Sequence, residues 1–162
     1  MSSNFRLWRL FTPKLTEFPI PTQITSIIMG FADWVVLIIY NQLETKSIQI
    51  KNAKLEYGKF YSEGDKDNNL ELEQINSIVI APKSNVTISS CGKYFAPTGA
   101  EGSIDLNDGA TKIATLYWDC PHNSTTNDFQ VRNSNQNYVV GVGPWNKVDG
   151  ALGSINITVV EV

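Results

Sequence analysis

Tyr117-Trp118-Asp119-Cys120-Pro121 closes an extended run that starts near Ala110, and the polar loop His122-Asn123-Ser124-Thr125-Thr126-Asn127 follows it. Proline lacks an N–H and has a fixed φ, so strand pairing is expected to stop at Pro121. A second extended run, Gly102 to Leu106, precedes this one across Asn107-Asp108-Gly109, a strong tight-turn signal. A third, Asp128 to Arg132, comes after the loop. Three short strands joined by tight connections make an antiparallel unit. Its end presents aromatic rings beside a loop of hydroxyls and amides, which suits binding a polar head attached to something apolar.

The same grammar extends in both directions. Trp34 to Tyr40 is almost wholly apolar and β-branched, as in a core strand. Ile48 and Ile50 alternate with Ser47, Gln49 and Lys51, and Leu55 and Tyr57 alternate with Lys54, Glu56 and Gly58. Ser62 to Asn69 is rich in Asp, Asn and Gly and is expected to form a turn. Further strands are expected at Ser77–Ile80, Asn85–Cys91, Tyr138–Val142 and Gly153–Val160. Short alternating strands at this spacing, without a convincing amphipathic helix, predict an all-β fold: an antiparallel β-sandwich of two sheets in a single domain.

Bulk properties narrow the function. With 162 residues, 42% of them hydrophobic, the chain is long enough to bury a core. Its net charge of −3 is uneven: residues 1–31 carry Arg6, Arg9 and Lys14 against Glu17 and are +2, leaving −5 on the remainder. An acidic body without a basic stripe excludes nucleic acid as a partner, because phosphate binding requires clustered Lys and Arg. Recruitment by anionic lipid charge alone is excluded on the same ground. Ile24 to Tyr40 is short of the apolar length a membrane span needs and carries Asp33 in its middle. Residues 1–28, broken by Pro13, Pro19 and Pro21, read as an N-terminal extension, disordered or a start-site artefact, ahead of a domain over 29–162.

No catalytic or metal signature survives inspection. Asp65, Asp67, Asn69 and Glu71 hint at a calcium loop, but Leu70 and Asn76 stand where such a loop needs its glycine and final acidic residue. Cys91, Cys120 and the single histidine, His122, are too few for a zinc site, and a Cys120–His122 couple around a proline is poorly arranged for thiol chemistry. The chain is therefore read as a non-enzyme without a cofactor. The informative class is the aromatics, Trp34, Tyr57, Tyr94, Phe95, Tyr117, Trp118 and Trp145, gathered at strand ends or loop edges. Such a group forms either a membrane-interface belt or a ligand-stacking platform.

From Met29 onward the chain resembles the aegerolysin family of small acidic cytolysins. The resemblance rests on Ala32-Asp33-Trp34-Val35-Val36, Ile48-Gln49-Ile50-Lys51-Asn52, Tyr57-Gly58-Lys59, Ser90-Cys91-Gly92, Tyr117-Trp118-Asp119-Cys120-Pro121 and Gly150-Ala151-Leu152-Gly153-Ser154-Ile155. It implies a haemolysin-like protein that recognises sphingolipid/sterol membranes and is the docking component of a two-component pore former, its partner carrying a perforin-like (MACPF) domain. It also implies an extracellular location without a classical signal peptide, peripheral on target membranes. The family's lipid-contact positions fall on Trp34, Tyr57, Thr98, Tyr117, His122 and Thr125. Tyr57 and His122 stand where tryptophan is usual. Thr125 replaces a lysine and Thr98 a glutamate, with Glu101 close by. A carbohydrate- or glycolipid-binding β-sandwich module without lytic activity is the alternative reading of the same aromatics.

Overall fold

The computed structural model describes residues 31–93, 96 and 98–162; the expected extension over residues 1–28 and the aromatics Tyr94 and Phe95 lie outside the described residues. Strands β1 (Trp34–Asn41), β3 (Lys59–Ser62), β4 (Asp65–Leu70), β6 (Asn85–Cys91), β10 (Tyr138–Val142) and β11 (Gly153–Glu161) form one sheet. Its order is β10-β11-β1-β6-β3-β4. Strands β2 (Ile48–Tyr57), β5 (Val79–Ile80), β7 (Ala100–Asp108), β8 (Thr111–Cys120) and β9 (Asp128–Arg132) form the second, in the order β5-β2-β7-β8-β9. The two faces that meet are apolar because alternate residues of each strand point the same way. Val35, Leu37 and Ile39 of β1 face Ile104 and Leu106 of β7 and Leu116 and Trp118 of β8 in a single buried cluster.

The β8–β9 unit follows the sequence reading. Strand β8 runs to Cys120 and stops at Pro121, and β9 occupies Asp128–Arg132. Two features depart from that reading. Asp65–Leu70, expected as part of a turn, is a strand hydrogen-bonded to β3, and the turn shrinks to the residues around Gly64. Hairpin closure over so short a connection outweighs the poor strand propensity of Asp and Asn. The other is α1 (Leu72–Asn76), a single turn with a reciprocal capping box between Glu71 and Gln74 and only Ile75 buried.

Among the described residues the sandwich is antiparallel throughout except for β1 and β11, which run parallel from Val35↔Gly153 to Asn41↔Val159. Parallel pairing requires a long connection, and here residues 42–152 lie between the two strands.

Register collects the loops of interest at one end. The start of β1 pairs with the end of β6 (Trp34↔Cys91), and that with the start of β3 (Lys59↔Cys91). The end of β2 faces the start of β7 (Tyr57↔Glu101), which faces the end of β8 (Ala100↔Cys120). Gly58 carries the chain from one sheet to the other with φ +91°, and a Cβ there would sit 2.5 Å from the Cys91 carbonyl oxygen. No other residue fits that crossing without moving the backbone.

Candidate functional site

The six sequence-selected residues all lie toward this end but do not form one pocket. Tyr57 and Tyr117 line a groove of about 520 Å³ on the outer face of the five-stranded sheet, together with Lys54, Glu56, Glu101, Gly102, Ser103 and Arg132. His122 and Thr125 line a second pocket, about 340 Å³, with Asp33, Asn123, Ser124 and Asp149 among its walls. Trp34 and Thr98 belong to neither. The division follows from strand alternation: Tyr117 points outward from β8, whereas Pro121 ends the strand and turns the following loop toward the start of β1.

In the first groove, Tyr57 is 51% exposed and so offers a ring face. The Tyr117 hydroxyl donates to Glu101 Oε1 at 2.7 Å, and the Arg132 guanidinium lies 3.5 Å from the centre of the Tyr117 ring. Burial, reinforced by that carboxylate acceptor, pushes the Tyr117 hydroxyl up to about 12. One row across the same face brings three carboxylates into adjacent register, Glu101↔Asp119 and Asp119↔Asp128. Asp119 is held above the usual carboxylate range, by burial first and then by the like charges of Glu101 and Asp128. Two rows further along, burial alone would raise Asp105. Hydrogen bonds from Lys112, Thr115 and Asn52 outweigh it and hold Asp105 below the usual range. The face therefore has both signs of charge set around two aromatic rings.

The second pocket is built on a buried couple. His122 Nδ1 lies 2.8 Å from Asp33 Oδ2, with the two side chains only 9% and 7% exposed. His122 is thus turned inward, locking the loop after Pro121 to the start of β1, while Asn123, Thr125 and Thr126 are the exposed members of the loop. Opposite them, Asn127 donates through Nδ2 to the carbonyls of Asn146, Val148 and Gly150, at 3.2, 2.5 and 2.9 Å. This clamp fixes the 146–150 loop that supplies Asp149. Nothing in the sequence distinguishes Asn127 from Asn123 of the same loop.

Trp34 is half-buried at the head of β1, with Lys66 Nζ 5.4 Å from its ring centre. Thr98 is exposed in the loop before β7. Trp118, expected near the displayed aromatics, is fully buried and meets Phe60 edge-on at 6.0 Å. Strand alternation assigns it to the core, since its neighbours Tyr117 and Asp119 point out.

The thiols offer no nucleophile. Cys91 and Cys120 are free and fully buried, and burial pushes Cys120 up to about 11. Cys120 Sγ donates to the Gly150 carbonyl at 3.1 Å, and His122 is committed to Asp33. A thiolate is the reactive species, and this environment disfavours it.

Comparison with known proteins agrees with the geometry. The profile of the aegerolysin family matches residues 32–162. The chain is similar to Asp-hemolysin of Aspergillus fumigatus, at 40% identity over 82% of this chain and 95% of that one. It is also similar to ostreolysin A6 of Pleurotus ostreatus, at 34% over 80% and 95%. Among solved structures, IP-1A from Alcaligenes faecalis superposes with a TM-score of 0.76 at 35% identity, covering 84% of this chain and 96% of that one. RahU, crystallised with a TRIS molecule, gives 0.76 at 29%, covering 82% and 97%. The family match over residues 32–162 and these relatives give one assignment: the chain belongs to the aegerolysin family and is a lipid-binding, haemolysin-like protein rather than an enzyme.

Proposed function

We propose that the protein docks on sphingolipid/sterol membranes through the end of the sandwich that carries Trp34, Tyr57, Thr98, Tyr117, His122 and Thr125, and that it is the membrane-reading half of a two-component pore former. The observation that carries this reading is the pairing, at one end of a rigid body, of a ring-lined groove with a polar pocket. Aromatic rings with a polar edge are suited to the bilayer interface, where one side is apolar and the other wet. Within the group the roles differ. Tyr57, Tyr117 and Trp34 present ring surface; Thr98 and Thr125 offer hydroxyls; His122 holds its loop in place through Asp33. No helix among the described residues is long and apolar enough to cross a membrane. A MACPF protein as the pore-lining partner is in keeping with the family, and the protein then acts outside the cell, peripheral on its target.

Sedimentation with vesicles tests the reading directly. Vesicles of sphingomyelin with cholesterol, or of ceramide phosphoethanolamine, should pull the protein down, whereas phosphatidylcholine alone should not. Failure with every sphingolipid and sterol mixture refutes it. The exposed Tyr57 beside Glu56 and Glu101 would equally serve a sugar platform. Glycan-array binding in the absence of vesicle binding would therefore select the carbohydrate module instead.

A further inference from the structure

Thr125 brings no charge to the loop after β8, and the five-stranded sheet offers a cation on a different element. Arg132 is the last residue of β9 and exposed, yet it is held in place. Its guanidinium lies against Tyr117 at 3.5 Å from the ring centre, and its Nε donates to Gln130 Oε1 at 2.7 Å. Among the described residues it forms no salt bridge. A planar guanidinium fixed on a ring, with its terminal N–H groups unspent, is pre-organised to take an oxyanion through two parallel hydrogen bonds.

Two other cations near rings at this end, Lys66 and Lys59, are differently employed. Lys66, beside Trp34, donates to the Phe31 carbonyl at 2.6 Å, and Lys59 donates to the Lys66 carbonyl at 2.6 Å. Both ammonium groups are spent on backbone carbonyls, whereas Arg132 spends only its Nε–H.

The groove also selects against a ligand of one sign. Lys54 and Arg132 line it together with Glu56 and Glu101, so its formal charges cancel. A bare anion meets the carboxylates and a bare cation meets the guanidinium and ammonium. A molecule carrying a phosphate and an amine satisfies both sets.

We propose that Arg132 is the residue with which this chain reads the phosphate of a zwitterionic phospho-amine seated between Tyr57 and Tyr117, the carboxylates of Glu56 and Glu101 facing the amine. This inference rests on the membrane-docking reading and deepens it. The shared chemistry could come from a lipid head group or a soluble phospho-amine, and the test separates the two.

The test uses the full chain and two readouts. In NMR titrations, O-phosphoethanolamine should shift the Arg132 side-chain N–H and the Tyr117 ring signals, and inorganic phosphate or ethanolamine alone should shift them less. Arg132→Gln should remove that response and weaken binding to sphingolipid vesicles by about tenfold or more, as expected for loss of charge-assisted hydrogen bonds. Arg132→Lys, which keeps the charge but not the fork, should fall between the two. The melting temperature of either variant should stay near that of the unaltered chain, because Arg132 is exposed. Vesicle binding by Arg132→Gln equal to that of the unaltered chain overturns the inference and leaves membrane docking intact. Lack of any titration response by the unaltered chain overturns it as well. A response to phosphoethanolamine without binding to any sphingolipid vesicle refutes membrane docking and keeps the groove as a site for a soluble ligand.

Discussion

Asn127→Ala removes the clamp on the 146–150 loop, and its cost can be worked from the contacts. One buried amide donates to three backbone carbonyls, those of Asn146, Val148 and Gly150, and Asn127 itself is only 7% exposed. At about 1 kcal/mol net per neutral hydrogen bond, with some acceptors left unsatisfied in the interior, the loss is roughly 2–4 kcal/mol. In a domain of this size that corresponds to a fall in melting temperature of roughly 6–12 °C. Asn127→Asp is the sharper perturbation. It keeps the shape but replaces the donor by a carboxylate oxygen facing three carbonyl oxygens, so it should be less stable than the alanine variant at neutral pH. The sign with pH follows: the introduced carboxyl is more easily kept neutral in the folded state, so its folded pKa is raised. Stability is then greater at low pH and is lost as pH rises through that pKa. Thermal unfolding of the three proteins, followed by circular dichroism at neutral and mildly acidic pH, reads all of this. An Asp variant as stable as the unaltered chain at pH 7, or an Ala variant within a degree of it, refutes the clamp.

Gly102→Ala should cost roughly 1–3 kcal/mol or more by overpacking, since the added Cβ would lie 2.6 Å from the Lys54 carbonyl oxygen and 2.7 Å from Trp118 Cζ2. Gly64→Ala, with open space around it and only its φ of +78° to strain, should cost less; chemical denaturation that ranks them the other way contradicts the packing account. Neither cysteine should react with iodoacetamide in the native protein at pH 8, and both should react once it unfolds. Because burial raises Cys120 from 9.0 to about 11, the folded state favours the neutral thiol; the stability this contributes is present below pH 9 and declines as pH rises toward 11. Unfolding free energies that stay flat over that interval would remove the thiol from the account. Trp34→Ala and Tyr117→Ala should weaken vesicle binding more than they lower the melting temperature. Equal losses would return both rings to a purely structural role.

Local chemistry made the fold readable. A continuous apolar, β-branched run marked β1, period-two alternation marked β2, the Asn107-Asp108-Gly109 turn marked the β7–β8 hairpin, and Pro121 marked where β8 ends, because each of these is set by residues adjacent in the chain. Strand β4 escaped for the opposite reason: Asp65-Lys66-Asp67-Asn68-Asn69 carries no alternation, and only pairing with β3 makes it extended.

The site divides in the same way. Its aromatics and its polar loop can be named from the sequence, and the family resemblance marks which of them to watch. What the tertiary structure alone decided is which face each one shares. His122 meets Asp33 across 89 residues and turns inward, Trp118 enters the core while Tyr117 beside it faces out, and Arg132 comes to rest on the Tyr117 ring. These outcomes depend on strand register and on the crossing between two sheets. Those are relations between segments distant in sequence, and no local pattern of residues encodes them.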